Sequence, residues 1–294
     1  MKIDKLIAFL KCPYCDLEEL TYENDQIVCP RCQTIFDVRG GVPIMVDKGK
    51  LNDQEKSQMD IFDKHYLKNL SDEYSLAKWQ ESMIKRVFND DGVKTYLDIG
   101  CSADAYTVIE SAKRKGYISI GMNLSYVAMR QAKRNADLEG VGERCAFVVA
   151  SAERLPFRDS FFDYISLLSV LEHIKNDEKV IRGVELILKK EGQVYICVPN
   201  SYSNIWPFLW PIYFVIDKFV GHIRHYSDIG LNRVMYGNGF ILEEIKYNAH
   251  LKKLVQIILD RLNLINSEKW WKIEEDDIND NSRGLQLNAI YKKR

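Results

Sequence analysis

The sequence has almost no net charge and no long apolar run, and each shortage excludes a class of protein. Its 41 basic and 42 acidic residues give a formal net charge of −1, which argues against a broad surface for nucleic acid phosphates. The longest apolar stretch, residues 205–220, is interrupted by prolines, an aspartate and a lysine, and it is shorter than the roughly 20 apolar residues of a membrane-spanning helix. The first seven residues mix charged and apolar side chains, so no signal peptide is predicted. We therefore expect a cytoplasmic globular protein.

Four of the seven cysteines form two C-x-x-C pairs near the amino terminus, CPYC at 12–15 and CPRC at 29–32. Each pair places two thiolates on one edge of a tetrahedron, and two edges complete a closed four-sulfur site typical of structural zinc. Such a metal replaces the core that a short segment cannot build. A redox disulfide would need a single pair before a helix. The pattern therefore predicts a zinc ribbon over residues 1–46, with these ligands: Cys12, Cys15, Cys29 and Cys32.

Apolar segments of strand length alternate with amphipathic segments from residue 93 onward. Strands are predicted at 95–99, 118–122, 146–150, 164–168, 193–198, 240–247 and 285–291, and helices near 105–115, 125–138, 177–189, 227–238 and 250–262. This alternation predicts an α/β fold, a doubly wound, Rossmann-like, mostly parallel sheet of seven strands, over residues 93–294. Residues 47–92 have near-helical apolar spacing and are predicted to be a helical linker or cap.

Glycine-containing or polar turns follow the first five predicted strands in a definite order. They are LDIGCS at 97–102, GMNLS at 121–125, SAERLPF at 151–157, SVLEHI at 169–174 and VPN at 198–200. A glycine directly after the first strand lets the backbone approach a nucleotide closely. This succession resembles the type 11 class I methyltransferases, which use S-adenosylmethionine. The stretch FDVRGGVPIM at 36–45 resembles the zinc-ribbon activator subunits of methyltransferases, here joined to the larger domain.

The resemblance implies cofactor contacts by the residues of these turns. Those residues are Asp98, Gly100, Ser102, Asn123, Leu124, Ser151, Ala152 and Ser169. The pattern also departs from the family. Ser102 and Asp104 stand at usual glycine positions, and Asn123 and Ser151 stand where acids usually accept hydrogen bonds from the ribose and the adenine amino group. Loss of both acids predicts cofactor binding weaker by about tenfold to a hundredfold.

Histidines after the fourth and fifth strands are candidates for acceptor chemistry. His173 is the predicted general base, or a packed histidine at a helix start. In quinone-biosynthesis O-methyltransferases a Glu-His pair at this place joins another acid to hold magnesium; Ser169 stands in place of that acid, so no catalytic metal is expected. The segment GHIRHYS at 221–227 resembles that of methyltransferases acting on glycans, lipids and small metabolites. It implies these substrate-binding residues: His222, Arg224, His225 and Tyr226. Its Ser227 also fits a helix cap.

An aromatic-rich insertion is predicted at about 200–226, with WPFLWPIYF at 206–214. It would line an apolar acceptor site, rest on a membrane surface, or pack as a lid. Three functions follow from these observations. The first is S-adenosylmethionine-dependent methyl transfer, as O-methylation, to a small-molecule, lipid-linked or glycan-linked acceptor. The second is methylation of an rRNA or tRNA base, and the third is a degenerate fold used as a binding scaffold.

Overall fold

A computed structural model describes residues 1–68, 88, 92–114, 116–205, 214, 217, 221–249 and 278–294. The helices in these ranges are α1 (Ile3–Ile7), α2 (Asp53–Lys68), α3 (Tyr106–Lys113), α4 (Tyr126–Leu138), α5 (Asp177–Ile187) and α6 (Asp228–Gly237), with 3₁₀ turns at Lys48–Lys50 and Leu171–His173. The predicted helix near 250–262 and most of the predicted aromatic insertion lie outside the described residues.

The strands of the described part form two sheets. They are β1 (Thr21–Glu23), β2 (Gln26–Val28), β3 (Ile35–Arg39), β4 (Val42–Pro43), β5 (Lys94–Ile99), β6 (Tyr117–Asn123), β7 (Cys145–Val149), β8 (Phe162–Leu168), β9 (Leu188–Pro199), β10 (Phe240–Asn248) and β11 (Gln286–Lys293). The small sheet has the order β1-β2-β3-β4, and the large one β10-β11-β9-β8-β5-β6-β7. This seven-stranded sheet, with β5, β6 and β7 parallel and β10 and β11 antiparallel, confirms the predicted fold class.

One strand begins earlier than predicted. The strand predicted at 193–198 already starts at Leu188, directly after α5, as β9. Glu191 takes a φ of 63° within the strand. Gly192 permits this path, because a Cβ there would lie 3.0 Å from the carbonyl oxygen of Asp163 and 2.8 Å from Cγ of Leu188.

The described residues divide into two compact units. The first falls within 1–75, 90–166 and 178–192, and the second within 76–89, 167–177 and 193–294. In the first unit, apolar residues of the parallel strands, such as Leu97, Ile120 and Val148, are fully buried. In the second unit, Ile196 of β9 and Leu287 of β11 are equally buried. No helix of the described ranges combines the length and apolarity needed to cross a membrane.

The amino-terminal segment of the first unit extends the edge of β7. Ile44 forms a parallel bridge with Val149, and the Met45 N–H donates to the Val149 carbonyl at 2.8 Å. Leu10 bridges Phe157 in the antiparallel sense. An open sheet edge leaves backbone donors and acceptors unpaired, so this segment satisfies part of that edge. The boundaries predicted at residues 46 and 92 stay a prediction.

Candidate functional site

The four cysteines of the two C-x-x-C pairs lie together in the first unit. The Sγ atoms of Cys12 and Cys32 are 3.5 Å apart and those of Cys15 and Cys29 are 3.4 Å apart; all four lie within 4.8 Å of one another. Four sulfurs bound tetrahedrally to zinc at about 2.3 Å would be about 3.8 Å apart, so the donor set and its spacing fit that ion. The Thr34 hydroxyl lowers the pKa of Cys32 to about 6, which favours a thiolate.

The turn after β5 combines a left-handed glycine with a buried acid. Gly100 has a φ of 85°, a conformation that favours glycine, and its N–H donates to the Met122 carbonyl at 2.8 Å. The Asp98 carboxylate is buried and accepts from the hydroxyls of Thr107 and Ser166 at 2.5 Å each. Burial raises the pKa of Asp98 to about 6. Asp98 is therefore buried beneath the turn, and both of its hydrogen-bond partners belong to the protein.

The residues predicted to contact the cofactor after β6 also have partners inside the protein. Nδ2 of Asn123 donates to the Cys101 carbonyl at 2.9 Å, and Oδ1 accepts the Ser125 N–H at 2.9 Å. Both ends of the Asn123 amide thus stabilise the turn. Leu124, by contrast, is partly exposed.

The end of β7 is bound by a carboxylate from helix α2. Ser151 is buried, its hydroxyl donates to Oε1 of Glu55, and it accepts the Glu153 N–H at 3.1 Å. Ala152 is partly exposed beside it. Glu55 was not among the predicted site residues. The N-x-x-E spacing from Asn52, typical of a capping box, indicates where its helix begins but not what its carboxylate contacts.

The second unit assembles three histidines and two acids. Nδ1 of His222 and Nε2 of His225 each lie 2.8 Å from the Asp217 carboxylate, which also accepts from the Tyr202 hydroxyl. Nδ1 of His225 faces the Asn200 carbonyl at 2.7 Å. Both ring nitrogens of His225 therefore face acceptors. Asp217, unlike His222 and His225, was not predicted as a site residue.

His222 has the geometry of a base that is oriented by a carboxylate. Its Nδ1–H donates to Asp217, which leaves the Nε2 lone pair 3.9 Å from Oε1 of Glu172. Burial lowers the pKa of His222, which favours the neutral ring at pH 7. His173, the predicted base, has Nδ1 3.1 Å from the Gly221 carbonyl.

Two other residues predicted to bind substrate are engaged by one acid. Nη1 of Arg224 lies 2.5 Å from the Asp177 carboxylate, and the Tyr226 hydroxyl donates to the same carboxylate at 2.7 Å. Arg224 also donates to the Lys175 carbonyl at 2.6 Å. Ser169 takes a φ of 55°, and its N–H donates to the Cys197 carbonyl. Contacts of Arg224 and Tyr226 with a substrate, and of Ser169 with the cofactor, stay predictions.

Two groups of donors in this cluster are close enough for a metal ion. Glu172, His173 and His222 form one, and Asp217, His222 and His225 the other. In the second group each imidazole is hydrogen bonded to the carboxylate, an arrangement that also suits proton transfer. The absence of a catalytic metal stays a prediction.

Replacing Glu172 by glutamine is expected to stabilise the protein at alkaline pH. Glu172 is 1% exposed, and its Oε2 has no hydrogen-bond partner among the described residues. Burial raises the pKa of this carboxyl to about 8, against about 4.3 when unfolded. Its contribution to stability is therefore complete below the unfolded value and is lost as the pH rises through about 8. Urea unfolding should give equal stabilities near pH 4.5 and a Glu172→Gln advantage of a few kcal/mol near pH 9. The same dependence of the unfolding free energy on pH in Glu172→Gln and in Glu178→Gln, a change at an exposed residue, would contradict this expectation.

Comparisons with known proteins connect this geometry to a domain class. Residues 97–196 match the family model described as a methyltransferase domain. Norajmaline N-methyltransferase of Rauvolfia serpentina is 35% identical over 114 residues, which are 39% of this chain and 38% of that protein. A ubiquinone/menaquinone biosynthesis C-methyltransferase of Rickettsia bellii is 26% identical over 167 residues, 52% of this chain and 64% of its own length. The chain thus spans less than two thirds of these relatives.

A solved structure supports the same fold. Geranyl diphosphate C-methyltransferase from Streptomyces coelicolor, in complex with Mg²⁺, geranyl diphosphate and S-adenosyl-L-homocysteine, has a TM-score of 0.61 at 10% identity, covering 83% of this chain and 99% of that one. The fold is therefore that of the class I methyltransferases. More particularly, residues 97–196, which match the methyltransferase domain model, include the glycine turn at Gly100.

Proposed function

We propose that this chain transfers a methyl group from S-adenosylmethionine to an oxygen of a small-molecule, lipid-linked or glycan-linked acceptor. The match of residues 97–196 to a methyltransferase domain carries the proposal. The relatives that support it are named as methyltransferases acting at nitrogen or carbon. We assign oxygen because the second unit holds an Asp-His pair suited to accept a hydroxyl proton.

The residues after the parallel strands fit a nucleoside with an amino acid tail. Gly100 brings backbone close to the edge of the sheet, and Leu124 and Ala152 are partly exposed after β6 and β7, where apolar groups can flank a flat base. When bound, S-adenosylmethionine would supply an electrophilic methyl group. Asp98, Ser102 and Ser169 are proposed to shape its surroundings.

His222 is proposed to hold the acceptor proton at Nε2, with the carboxylate of Asp217 stabilising the imidazolium that forms. Asp217 fixes the tautomer because it accepts the Nδ1–H of His222 at 2.8 Å. His225 is hydrogen bonded to the same carboxylate. His173, Arg224 and Tyr226 would then line this acceptor side.

A structural zinc ion is proposed for the four-cysteine cluster. The cluster fits the ion by its spacing, and its donors are all thiolates, which zinc binds in closed structural sites. The ion would stabilise the segment that covers the β7 edge, without a part in methyl transfer.

Isothermal titration with S-adenosylhomocysteine tests the proposed function directly. We expect binding with a Kd of roughly 10 μM to 1 mM, because Ser151 offers the adenine amino group no charged acceptor. Incubation with S-adenosylmethionine labelled on its methyl group, followed by separation of small molecules, lipids, glycans and RNA, should put the label outside RNA. Label in RNA alone would favour the base-methylating alternative. No binding at millimolar ligand would favour the scaffold.

A further inference from the structure

Helix α2 contacts the carboxyl ends of the parallel strands in the first unit. Glu55 meets Ser151 after β7, and Asp63 meets Ser125 after β6. Tyr66 is close to the turn after β5, where burial and the nearby Cys101 and Asp104 raise its pKa. The carboxyl ends of strands are where open α/β sheets bind ligands. A nucleoside bound at this edge would therefore meet α2.

Glu55 is a buried acid on the inner face of α2. It is 4% exposed, and both its oxygens accept from Arg154, at 2.6 and 2.7 Å. Its Oε2 also accepts the Asn52 N–H at 2.8 Å, and Ser151 completes the set at Oε1. Burying a carboxylate is costly unless it is paired and hydrogen bonded, and this one is fully satisfied. Glu55 therefore fastens the start of α2 to the end of β7.

Asp63 lies two helical turns further along and is only half engaged. Its Oδ1 accepts from the Ser125 hydroxyl, and no partner is recorded for Oδ2 within the described residues. The side chain is half-buried. Ser125 in turn donates its N–H to Asn123, so the Asp63 carboxylate lies next to the turn that has asparagine in place of an acid. The described residues therefore leave one carboxylate oxygen at this turn for a ligand.

We propose that Asp63 binds the ribose hydroxyls of the cofactor in place of an acid at residue 123, and that Glu55 is the positioning residue that holds α2 there. This inference rests on the proposed function, because it assigns recognition residues to the same cofactor site. It also explains the two departures at the strand ends. At 123, Asp63, which accepts from the Ser125 hydroxyl, supplies the acid that the turn lacks. At 151, the serine hydroxyl donates to Glu55, whereas an acid there would repel Glu55.

Asp63→Asn tests the ribose contact by its ligand specificity. S-adenosylhomocysteine should bind this variant about tenfold more weakly than wild type, since a charge-assisted bond becomes a neutral one. The 2′,3′-dideoxy analogue, which lacks both ribose hydroxyls, should bind both proteins equally. Asp60→Asn, on the exposed side of the same helix, is the matched control and should change neither Kd. Equal weakening of both ligands by Asp63→Asn would overturn the assignment.

Ser151→Asp tests whether Glu55 holds α2 at the end of β7. An acid that restored an adenine contact at 151 would tighten cofactor binding, whereas we expect this variant to weaken it. Two carboxylates would meet at the end of β7, so S-adenosylhomocysteine should bind at least tenfold more weakly, and α2 should exchange its amide hydrogens faster. The double variant Ser151→Asp/Glu55→Gln re-forms a donor–acceptor pair and should bind within about threefold of wild type. Tighter binding by Ser151→Asp alone would refute the role of Glu55. Failure of the wild type to bind any of these ligands would instead count against the proposed function.

Discussion

Replacing Cys29 by serine is expected to abolish zinc binding and to unfold the amino-terminal ribbon. Cys29 is buried, and its Sγ is 3.4 Å from that of Cys15, so its loss opens the closed four-sulfur site. Binding of structural zinc contributes about 10–16 kcal/mol in zinc-finger peptides, far more than a segment of this size gains from its own core. Metal analysis should give one zinc per chain for wild type and none for Cys29→Ser.

The loss should extend beyond the ribbon itself. The same segment donates the Met45 N–H to Val149 at the edge of β7, and the hydroxyl of Tyr14, between the first pair of cysteines, accepts the Asp47 N–H at 2.7 Å. Hydrogen exchange at Met45 and Asp47 should therefore accelerate in Cys29→Ser and in wild type treated with a chelator. Cys145→Ala, a buried cysteine outside the cluster, serves as the control and should keep its zinc. A variant without zinc but with wild-type exchange at these amides would refute the structural role.

Local features of this fold were predictable because they depend on neighbouring residues. The helix starts expected at 125 and 227 are true caps: Ser125 accepts from the Ala128 N–H and Ser227 from the Gly230 N–H. The glycine turn and the order of strand and helix follow from apolar periodicity in the same way. The ribbon pattern also predicted which four cysteines would meet.

Contacts over long sequence separations were not predictable. Glu55 and Ser151 are 96 residues apart, so the fold of the intervening chain, and not the local sequence pattern, brings them into contact. Taken alone, the missing acids at 123 and 151 suggest weak cofactor binding. A comparison of single positions with the family overlooks a carboxylate that another helix supplies. Asp217 was missed for a related reason. It lies in a largely apolar stretch, whose local pattern does not indicate what a carboxylate there contacts.

Asp217→Asn and His222→Gln are each expected to lower methyl transfer by about a hundredfold to a thousandfold, the usual contribution of a general base. The asparagine can present its amide NH₂ to Nδ1 of His222 and so favour the wrong tautomer, which would place the proton on Nε2. Single-turnover transfer from labelled cofactor to the acceptor fraction found to take up label measures the loss. The Kd for S-adenosylhomocysteine should stay unchanged, since neither residue is among the proposed cofactor contacts.

The pH profile distinguishes His222 from His173 as the base. The wild-type rate should fall as the pH drops below the pKa of His222, which burial places below its ordinary value, because the protonated ring cannot accept the acceptor's proton. His222→Gln should lose this acidic limb together with the rate, whereas His173→Gln, with Nδ1 on the Gly221 carbonyl, should keep both the limb and most of the rate. If instead His173→Gln removes the limb and His222→Gln retains it, the base is His173, and the bond from Asp217 serves only to hold His222 in place.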